Sequence, residues 1–403
     1  MKRVAVLQEK GITYLDTACM GLVAPEVLRD VRAMLSKIEN FSYAAPTDRF
    51  LELHEYFPKA RENVARLFGV SSEEIALVES TTHGLGLIAS SLPLRNGDNV
   101  LACDLEFFPT TLCWGKKQKD LGVEVRPVPT TGGEVKISDF EVKMDKNTRA
   151  IVVSSVQEAN GFRTDLKELS KLARHHNIYL IVDGIQEAGA LKVNLSELNV
   201  DVYCAGGVKW LCNPFGMGFL YVNKRIMEEL EPDFFGYFNS LEPEGGWDNY
   251  LGSPRRTPFD EIQLTSTTQK FETGGTGNCM GALGLYSATK KILDAGIGAI
   301  EEKVRSLNNY LIKGLTEMGL EMSSSGNPLY RSGITTFSLP GGMPRERELN
   351  TMLTGKNIYT TLRYTSGIGG IRVSPHYYNS NEDIDRLLEA AGDFLKKKGC
   401  QAV

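Results

Sequence analysis

Short apolar runs alternate with amphipathic segments through the middle of the chain. The runs lie at 99–103, 123–128, 150–155, 178–182, 201–205 and 218–222. Such runs are typical of parallel strands whose two faces are both covered. Residues 165–173, between two of the runs, carry apolar side chains at helical spacing. The alternation predicts an α/β domain with a largely parallel sheet.

The pattern changes near Gly281. The later elements are a long helical segment from 281 past 300, strand-like runs at 334–339 and 371–374, and a closing helix over about 381–398. This mixture predicts a smaller α+β domain. We therefore expect a large domain over residues 18–280 and a small C-terminal domain over residues 281–403. Whether residues 1–17 join the small domain is left open.

Composition excludes several classes of function. The 403 residues exceed the usual size of one domain, and a net charge of −5 gives no electrostatic reason to bind nucleic acid. No apolar segment approaches the ~20 residues that a membrane span needs, and residues 1–6 do not resemble a signal peptide. The seven cysteines and five histidines show no metal-ligand spacing. We expect a cytoplasmic protein with reduced thiols, no metal and no membrane partner.

The strongest chemical signal is a lysine and an aspartate that each follow a predicted strand. Asp183 ends the run at 178–182, and Lys209 lies in the glycine-containing segment after the run at 201–205. Ligands of parallel sheets bind beyond the carboxyl ends of the strands. A lysine there can form a Schiff base with an aldehyde, and an aspartate can keep a heterocyclic nitrogen protonated. These are the two requirements of pyridoxal 5′-phosphate (PLP).

A hydroxyl-rich turn at Ser80-Thr81-Thr82 follows a strand-like run at 75–78 and begins a helical pattern. Hydroxyls and free backbone N–H groups at a helix start can bind an anion, here the cofactor phosphate. A simple N-cap is the alternative for any single Ser or Thr at this place. The presence of Asp183 and Lys209 favours Thr81 and Thr82 as phosphate ligands.

Two further residues are candidates for contact with the cofactor ring. Phe107 lies just after a strand end, where an aromatic ring can stack on the pyridine face. Gln186 closely follows Asp183, and its amide could reach the phenolic oxygen of the cofactor. The alternatives are a core or loop aromatic for Phe107 and a surface glutamine for Gln186.

Arg363 and Arg372 are candidates for binding a substrate carboxylate. Arg372 lies inside an apolar run, where an unpaired guanidinium would be costly. A carboxylate is the natural bidentate partner of such a group. A structural salt bridge is the alternative for both arginines. The glycine-rich loop at 274–278 is weak evidence by itself, because it lacks the strand context of a dinucleotide site.

In their order along the chain, these segments resemble class V of the fold-type I PLP enzymes, the group of cysteine desulfurases and isopenicillin N epimerases. The matching motifs are Tyr14-Leu15-Asp16-Thr17-Ala18, Ser80-Thr81-Thr82, Glu106-Phe107 with Trp114, Val182-Asp183-Gly184-Ile185-Gln186, Lys209-Trp210-Leu211, Phe271-Glu272 with Gly275-Thr276-Gly277-Asn278, and Arg372-Val373-Ser374-Pro375 with Tyr378-Asn379-Ser380. The resemblance covers nearly the whole chain.

The resemblance implies a role for individual residues. Asp183 is expected on the pyridine nitrogen, Gln186 on the phenolic oxygen, and Phe107 on the ring face. Arg372 is expected to bind the α-carboxylate of an amino acid. Thr276 is expected to reach the phosphate of the partner subunit, which implies a homodimer with shared active sites.

The chain also departs from the family pattern. Desulfurases carry a nucleophilic cysteine upstream of the carboxylate arginine, but no cysteine occurs between Cys279 and Cys400. The family position near the phenolic oxygen, usually asparagine, aligns with Glu158. We therefore favour C–S (β-)lyase or epimerase-like chemistry, with a carbanion stabilised by the ring. A class V aminotransferase is the alternative, and a cysteine desulfurase or a non-catalytic PLP-fold protein is less favoured.

Overall fold

The computed structural model describes residue 7, residues 9–43 and residues 46–397. The segment in which no signal peptide was recognised, residues 1–6, lies outside the described residues, as does the expected end of the closing helix at 398. Among the described helices, none is both long enough and apolar enough to cross a bilayer. The cytoplasmic location stays a prediction.

The strands in chain order are β1 (Thr13–Tyr14), β2 (Ile75–Val78), β3 (Asn99–Cys103), β4 (Glu124–Val128), β5 (Thr148–Ser154), β6 (Tyr179–Asp183), β7 (Val202–Gly206), β8 (Gly218–Val222), β9 (Glu321–Met322), β10 (Thr335–Ser338), β11 (Ile358–Tyr359), β12 (Thr361–Thr365) and β13 (Ile368–Val373). The helices are α1 (Pro25–Glu39), α2 (Pro46–His54), α3 (Tyr56–Phe68), α4 (Thr81–Ser91), α5 (Phe108–Leu112), α6 (Gly115–Leu121), α7 (Ile137–Lys143), α8 (Leu166–His175), α9 (Leu195–Leu198), α10 (Gly246–Gly252), α11 (Cys279–Ala295), α12 (Ile297–Glu317), α13 (Met343–Gly355) and α14 (Asn381–Lys397). Short 3-10 turns lie at Ser72–Glu74, Lys224–Glu229, Tyr237–Asn239, Thr268–Phe271 and Pro328–Tyr330.

Seven strands form one large sheet in the order β2-β8-β7-β6-β5-β3-β4. The five strands from β7 to β4 run parallel, while β8 is antiparallel to both β7 and β2. The predicted α/β architecture with a mostly parallel sheet is confirmed. Because β2 therefore points the same way as β7, the segment after β2 reaches the same edge as the segments after β3, β5, β6 and β7.

Both faces of this sheet are buried at β3 and β5 to β8, which explains their apolar runs. The edge strand β4 is exposed or half-buried along most of its length, so the expectation of a covered strand at 123–128 is wrong. In β5, Ile151 and Val153 pack into one core while Ala150 and Val152 pack into a second core on the opposite face. Side chains in a strand alternate between faces, so a strand covered on both sides needs apolar residues at every position.

The C-terminal region has its own antiparallel sheet, in the order β12-β13-β10-β9, and its own apolar core. Leu15 contributes to that core, and β1 pairs in parallel with β11. The separate sheet and core support our proposal of a small C-terminal domain that residues near the N-terminus join. Helix α11 packs Ala282, Leu285 and Ile292 into the core of the large domain, and the boundary at 281 stays a prediction.

One expectation about the helices is wrong. The single helical segment expected from 281 past 300 is two helices, α11 and α12, which meet at Gly296. Gly296 has φ +79, a left-handed value that glycine adopts without a steric penalty. The apolar periodicity continues across this glycine, so spacing alone did not reveal the break.

Candidate active site

The carboxyl edge of the large sheet borders a cavity of about 620 Å³. Of the residues predicted to act there, the cavity is lined by Thr81, Thr82, Phe107, Asp183, Lys209, Arg363 and Arg372. The segments with Thr81, Phe107, Asp183 and Lys209 meet because the strands before them end at the same edge of the large sheet. Arg363 and Arg372 come from β12 and β13 of the separate antiparallel sheet. Gln186 and Thr276 are not among the described residues that line this cavity.

Lys209 lies on the turn that follows β7. An N-terminal loop packs against this turn, and the N–H of Gly21 donates to the carbonyl of Val208 at 2.8 Å. A Cβ at Gly21 would lie 1.8 Å from the carbonyl oxygen of Lys209, so only glycine allows this approach. The Lys209 Nζ is 5.9 Å from the centroid of the Phe107 ring. Burial lowers the pKa of Lys209, while the nearby Asp183 carboxylate opposes that effect.

Asp183 ends β6 with its carboxyl group at the wall of the cavity. Its side chain is 5% exposed, and one oxygen accepts the N–H of Ile185 at 2.9 Å. The other oxygen is 3.5 Å from the hydroxyl of Thr110. Burial raises the pKa of Asp183 to about 6. In the described part of the chain no lysine or arginine forms an ion pair with it, so a protonated ring nitrogen fits this carboxylate as a cationic partner.

The start of α4 lies at the same cavity. Ser80 is the N-cap, and its hydroxyl accepts the N–H of His83 at 3.1 Å. Thr81 is buried, its hydroxyl accepts the N–H of Gly206 at 2.8 Å, and Thr82 is exposed toward the cavity. The first N–H groups of a helix have no partner within it. The turn can therefore serve as both an N-cap and an anion site. Ser80 caps α4, and Thr81 and Thr82 lie beside the anion site.

Phe107 stands across the cavity from Lys209 and is 37% exposed. It precedes α5, and its backbone carbonyl accepts the N–H of Thr110 at 2.8 Å. An aromatic ring that is partly exposed at a cavity wall has a free face for stacking. Phe107 is therefore not a core aromatic.

Glu106 is a buried carboxyl group that sequence reasoning treated only as part of a motif. Its oxygens accept the N–H of Ser154 at 2.9 and 3.0 Å and the amide of Gln157 at 2.9 Å. Burial raises its pKa. The group joins the end of β3 to the end of β5 and adds negative charge near Asp183. The available signal was an acidic residue three positions after a buried strand.

Arg372 is fully buried, and two carboxylates flank its guanidinium. Its Nη2 is 3.3 Å from Asp16 Oδ1, and its Nη1 is 3.6 Å from Glu158 Oε2. The structural salt bridge that sequence analysis left open therefore exists, although Arg372 also lines the cavity. Arg363 on β12 donates to the carbonyl of Leu362 at 2.9 Å and takes part in no ion pair among residues 9–43 and 46–397.

Gln186 and Thr276 are placed differently from the other candidates. Gln186 is 3% exposed, so the surface alternative is wrong. Its amide donates to the carbonyl of Ala18 at 3.0 Å and accepts the indole N–H of Trp210 at 2.9 Å. Through these contacts Gln186 joins the N-terminal loop at Ala18 to the turn at Trp210. Thr276 is exposed, away from the cavity of its own chain, and its contact with a partner's phosphate stays a prediction.

Cys19 is a thiol at the site that the sequence motifs did not indicate. It is exposed and lines the cavity with Lys209. Burial raises the pKa of five other cysteines, which are Cys103, Cys113, Cys204, Cys212 and Cys279. The preference for lyase or epimerase-like chemistry was based on the absence of a cysteine between Cys279 and Cys400. The fold supplies a thiol from the N-terminal loop instead.

The chain is similar in sequence to a known protein family and to named proteins of other organisms. The sequence model of the family described as "Aminotransferase class-V" matches residues 13–387. A protein of Halalkalibacterium halodurans named "Probable cysteine desulfurase" is 28% identical, over 82% of this chain and 80% of its own. The isopenicillin N epimerase of Streptomyces clavuligerus is also 28% identical, over 86% of this chain and 87% of its own.

The fold is shared with a solved cysteine desulfurase. The apo structure of that enzyme from Thermococcus onnurineus superimposes with a TM-score of 0.83 at 23% identity, covering 98% of this chain and 99% of the other. The fold-type I architecture that the resemblance implied is thereby confirmed.

Proposed function

Because the chain belongs to the class-V aminotransferase family, we propose that this PLP-dependent enzyme acts on an α-amino acid by C–S β-elimination or by epimerase-like chemistry. The observation that carries the proposal is one cavity that brings Lys209, Asp183 and the start of α4 together. When bound, the cofactor supplies an electron sink for the electron pair left at the substrate α-carbon.

The residues of the cavity divide the work by their chemistry. Lys209 would hold the cofactor aldehyde, and its free amine would accept the α-proton of the substrate. Burial lowers its pKa and so favours the neutral amine that a general base requires. The Asp183 carboxylate keeps the ring nitrogen protonated, which stabilises negative charge that develops at the α-carbon. Thr81 and Thr82 hold the phosphate at the start of α4.

Substrate binding is assigned to the two arginines. Arg372 and Arg363 both line the cavity and offer planar sets of donors that suit a carboxylate. Phe107 covers one ring face and limits access of water to the α-carbon. A β-elimination needs no further protein nucleophile, since the electron pair at the α-carbon expels the β-substituent. The outcomes of elimination, epimerisation and transamination share these steps, and aminotransfer is retained as the alternative.

A screen of amino acids tests this proposal. Sulfur-containing amino acids are incubated with the holoenzyme, and pyruvate, sulfide and racemisation are measured beside a keto-acid transamination assay. The proposal expects pyruvate with sulfide, or inversion at the α-carbon. Transamination without pyruvate, sulfide or inversion would show that the enzyme is an aminotransferase.

Cysteine desulfuration is a second candidate, and the position of Cys19 favours it. In that reaction the Cys19 thiolate would attack the sulfur of the bound substrate cysteine and form an S–S bond. The C–S bond would break with its electrons moving to the substrate carbon, which protonation completes as alanine. The products would be alanine and a persulfide on Cys19, so the two candidates differ in both products.

We predict no stable persulfide on Cys19 during turnover of cysteine, because elimination releases sulfur directly. Trapping by alkylation with mass spectrometry checks every cysteine, and pyruvate and alanine are measured together. Cys19→Ala should then keep most of the activity, as should the control Cys279→Ala. An alkylated persulfide on Cys19, with alanine as product, would make desulfuration the function.

We further propose a homodimer in which Thr276 completes the phosphate site of the other subunit. Support comes from the exposure of Thr276 and from large apolar side chains exposed nearby in sequence, which are Phe234, Phe235, Tyr237, Leu241, Leu251 and Phe259. A contiguous exposed apolar patch marks a contact surface, and we propose that these side chains contribute to one. The expected mass in solution is twice the chain mass of 44.5 kDa.

Mixing two defective variants tests the shared site. A dimer of Lys209→Ala with Thr276→Val contains one site with an intact lysine and an intact partner threonine, so mixing should restore part of the activity. Each variant alone is the control. Full activity in a monomer, or no recovery in demonstrated mixed dimers, would contradict the shared site.

A further inference from the structure

We propose that Glu158 is a displaceable counter-ion of Arg372, which leaves the guanidinium when a substrate carboxylate binds and thereby selects zwitterionic amino acids over simple carboxylates. This inference rests on the proposed function, because it takes Arg372 as the carboxylate ligand. It assigns a specificity-determining role to a residue that departs from the family pattern.

The first step is the burial of Arg372. Its side chain is 0% exposed, and burial lowers its pKa. A buried guanidinium without an anion is costly, so the ligand-free site needs a resident carboxylate. Asp16 and Glu158 provide two such groups, on Nη2 and Nη1 respectively.

The two carboxylates are held differently. Asp16 is 3.3 Å from Nη2, lies in a backbone bridge with Ser374, and does not line the cavity. Glu158 lines the cavity, and its carboxylate is 3.6 Å from Nη1, beyond hydrogen-bond distance. Within the described residues, the Glu158 carboxylate accepts no hydrogen bond. Asp16 is therefore the fixed partner and Glu158 the exchangeable one.

The negative charge of Glu158 needs a new partner once a substrate carboxylate replaces it on Arg372. A substrate carboxylate on Nη1 would place three anions around one guanidinium, which is unfavourable while Glu158 remains. Glu158 and Lys209 line the same cavity, so the Glu158 carboxylate lies in the cavity where the substrate amine arrives. A ligand that brings its own ammonium group compensates the displaced Glu158. A simple carboxylate offers no such compensation and is disfavoured.

The test compares two ligands that differ by an α-ammonium group, isobutyrate and α-aminoisobutyrate, by titration calorimetry on the holoenzyme. Glu158→Gln should bind isobutyrate about tenfold more tightly than the wild type, the equivalent of about 1.4 kcal/mol. The ratio of the variant's affinity for α-aminoisobutyrate to its affinity for isobutyrate should therefore be smaller than that of the wild type. The neutral isobutyramide controls for shape, and Glu141→Gln on the exposed face of α7 controls for loss of a remote charge.

Unchanged or weaker isobutyrate binding in a folded Glu158→Gln holoenzyme would overturn the inference. Glu158→Asp serves as the second variant if glutamine disturbs the fold, and it should give intermediate affinity because its shorter side chain moves the charge away from Nη1. The proposed function fails separately, through absence of a pyridoxyl group on Lys209. A correctly labelled protein with unaltered isobutyrate affinity would reject only the role of Glu158.

Discussion

Lys209→Ala is expected to abolish measurable turnover, with a rate loss of roughly 10⁴-fold or more, because one amine both holds the cofactor and accepts the α-proton. Some cofactor should remain bound through the phosphate site at α4 and through Asp183. Steady-state assays give the rate, and cofactor content is measured after gel filtration. The variant should remain folded, since the Lys209 side chain faces a cavity rather than the core.

The control for this variant is Lys224→Ala. Lys224 is an exposed lysine that pairs with Glu73 at the surface, so its loss should leave turnover and cofactor content unchanged. Substantial turnover by Lys209→Ala would remove the lysine from the chemistry.

Asp183→Asn is expected to lower kcat by roughly 10²–10³-fold while the fold stays intact, because an electrostatic group aimed at the reacting system is lost. Asparagine can still accept the N–H of Ile185, so the local backbone contact survives. Without the carboxylate the ring nitrogen loses its proton more easily. The absorption spectrum of the bound cofactor and kcat report this change together.

Asp201→Asn is the matched control for a buried carboxylate next to a strand. Asp201 pairs with Arg225 at the amino end of β7, away from the cavity. Its loss should destabilise the protein by leaving Arg225 without its partner, with little effect on kcat. Near-normal kcat in Asp183→Asn would exclude the electrostatic role of that aspartate.

Much of the large domain was predictable from sequence. The apolar runs became β3 and β5 to β8 because a strand covered on both faces must be apolar throughout, and this property is visible in sequence. The edge strand β4 is exposed or half-buried along most of its length and carries Glu124 and Arg126. Lys209 and Asp183 were predictable for the same reason, since each follows such a run. Parallel strands bring their carboxyl ends to one edge, so their meeting in one cavity followed from the topology.

Contacts between distant segments were not predictable. Asp16 and Cys19 approach Arg372 or Lys209 because the N-terminal loop packs over the Lys209 turn, a contact that no local pattern encodes. Glu158 approaches Arg372 from the segment that follows β5, and this contact joins two distant parts of the chain. Gln186 was placed at the right turn, yet its amide binds two loops rather than facing the cavity. The break at Gly296 escaped notice because apolar spacing on both sides stays helical.

The most direct test of the central claim is chemical labelling of the holoenzyme. Borohydride reduction should remove the visible absorption of the bound cofactor and fix a pyridoxyl group on the lysine that holds it. Peptide mapping by mass spectrometry is then expected to find that group on Lys209. A pyridoxyl group on another residue, or none on a protein that retains cofactor, would contradict the account.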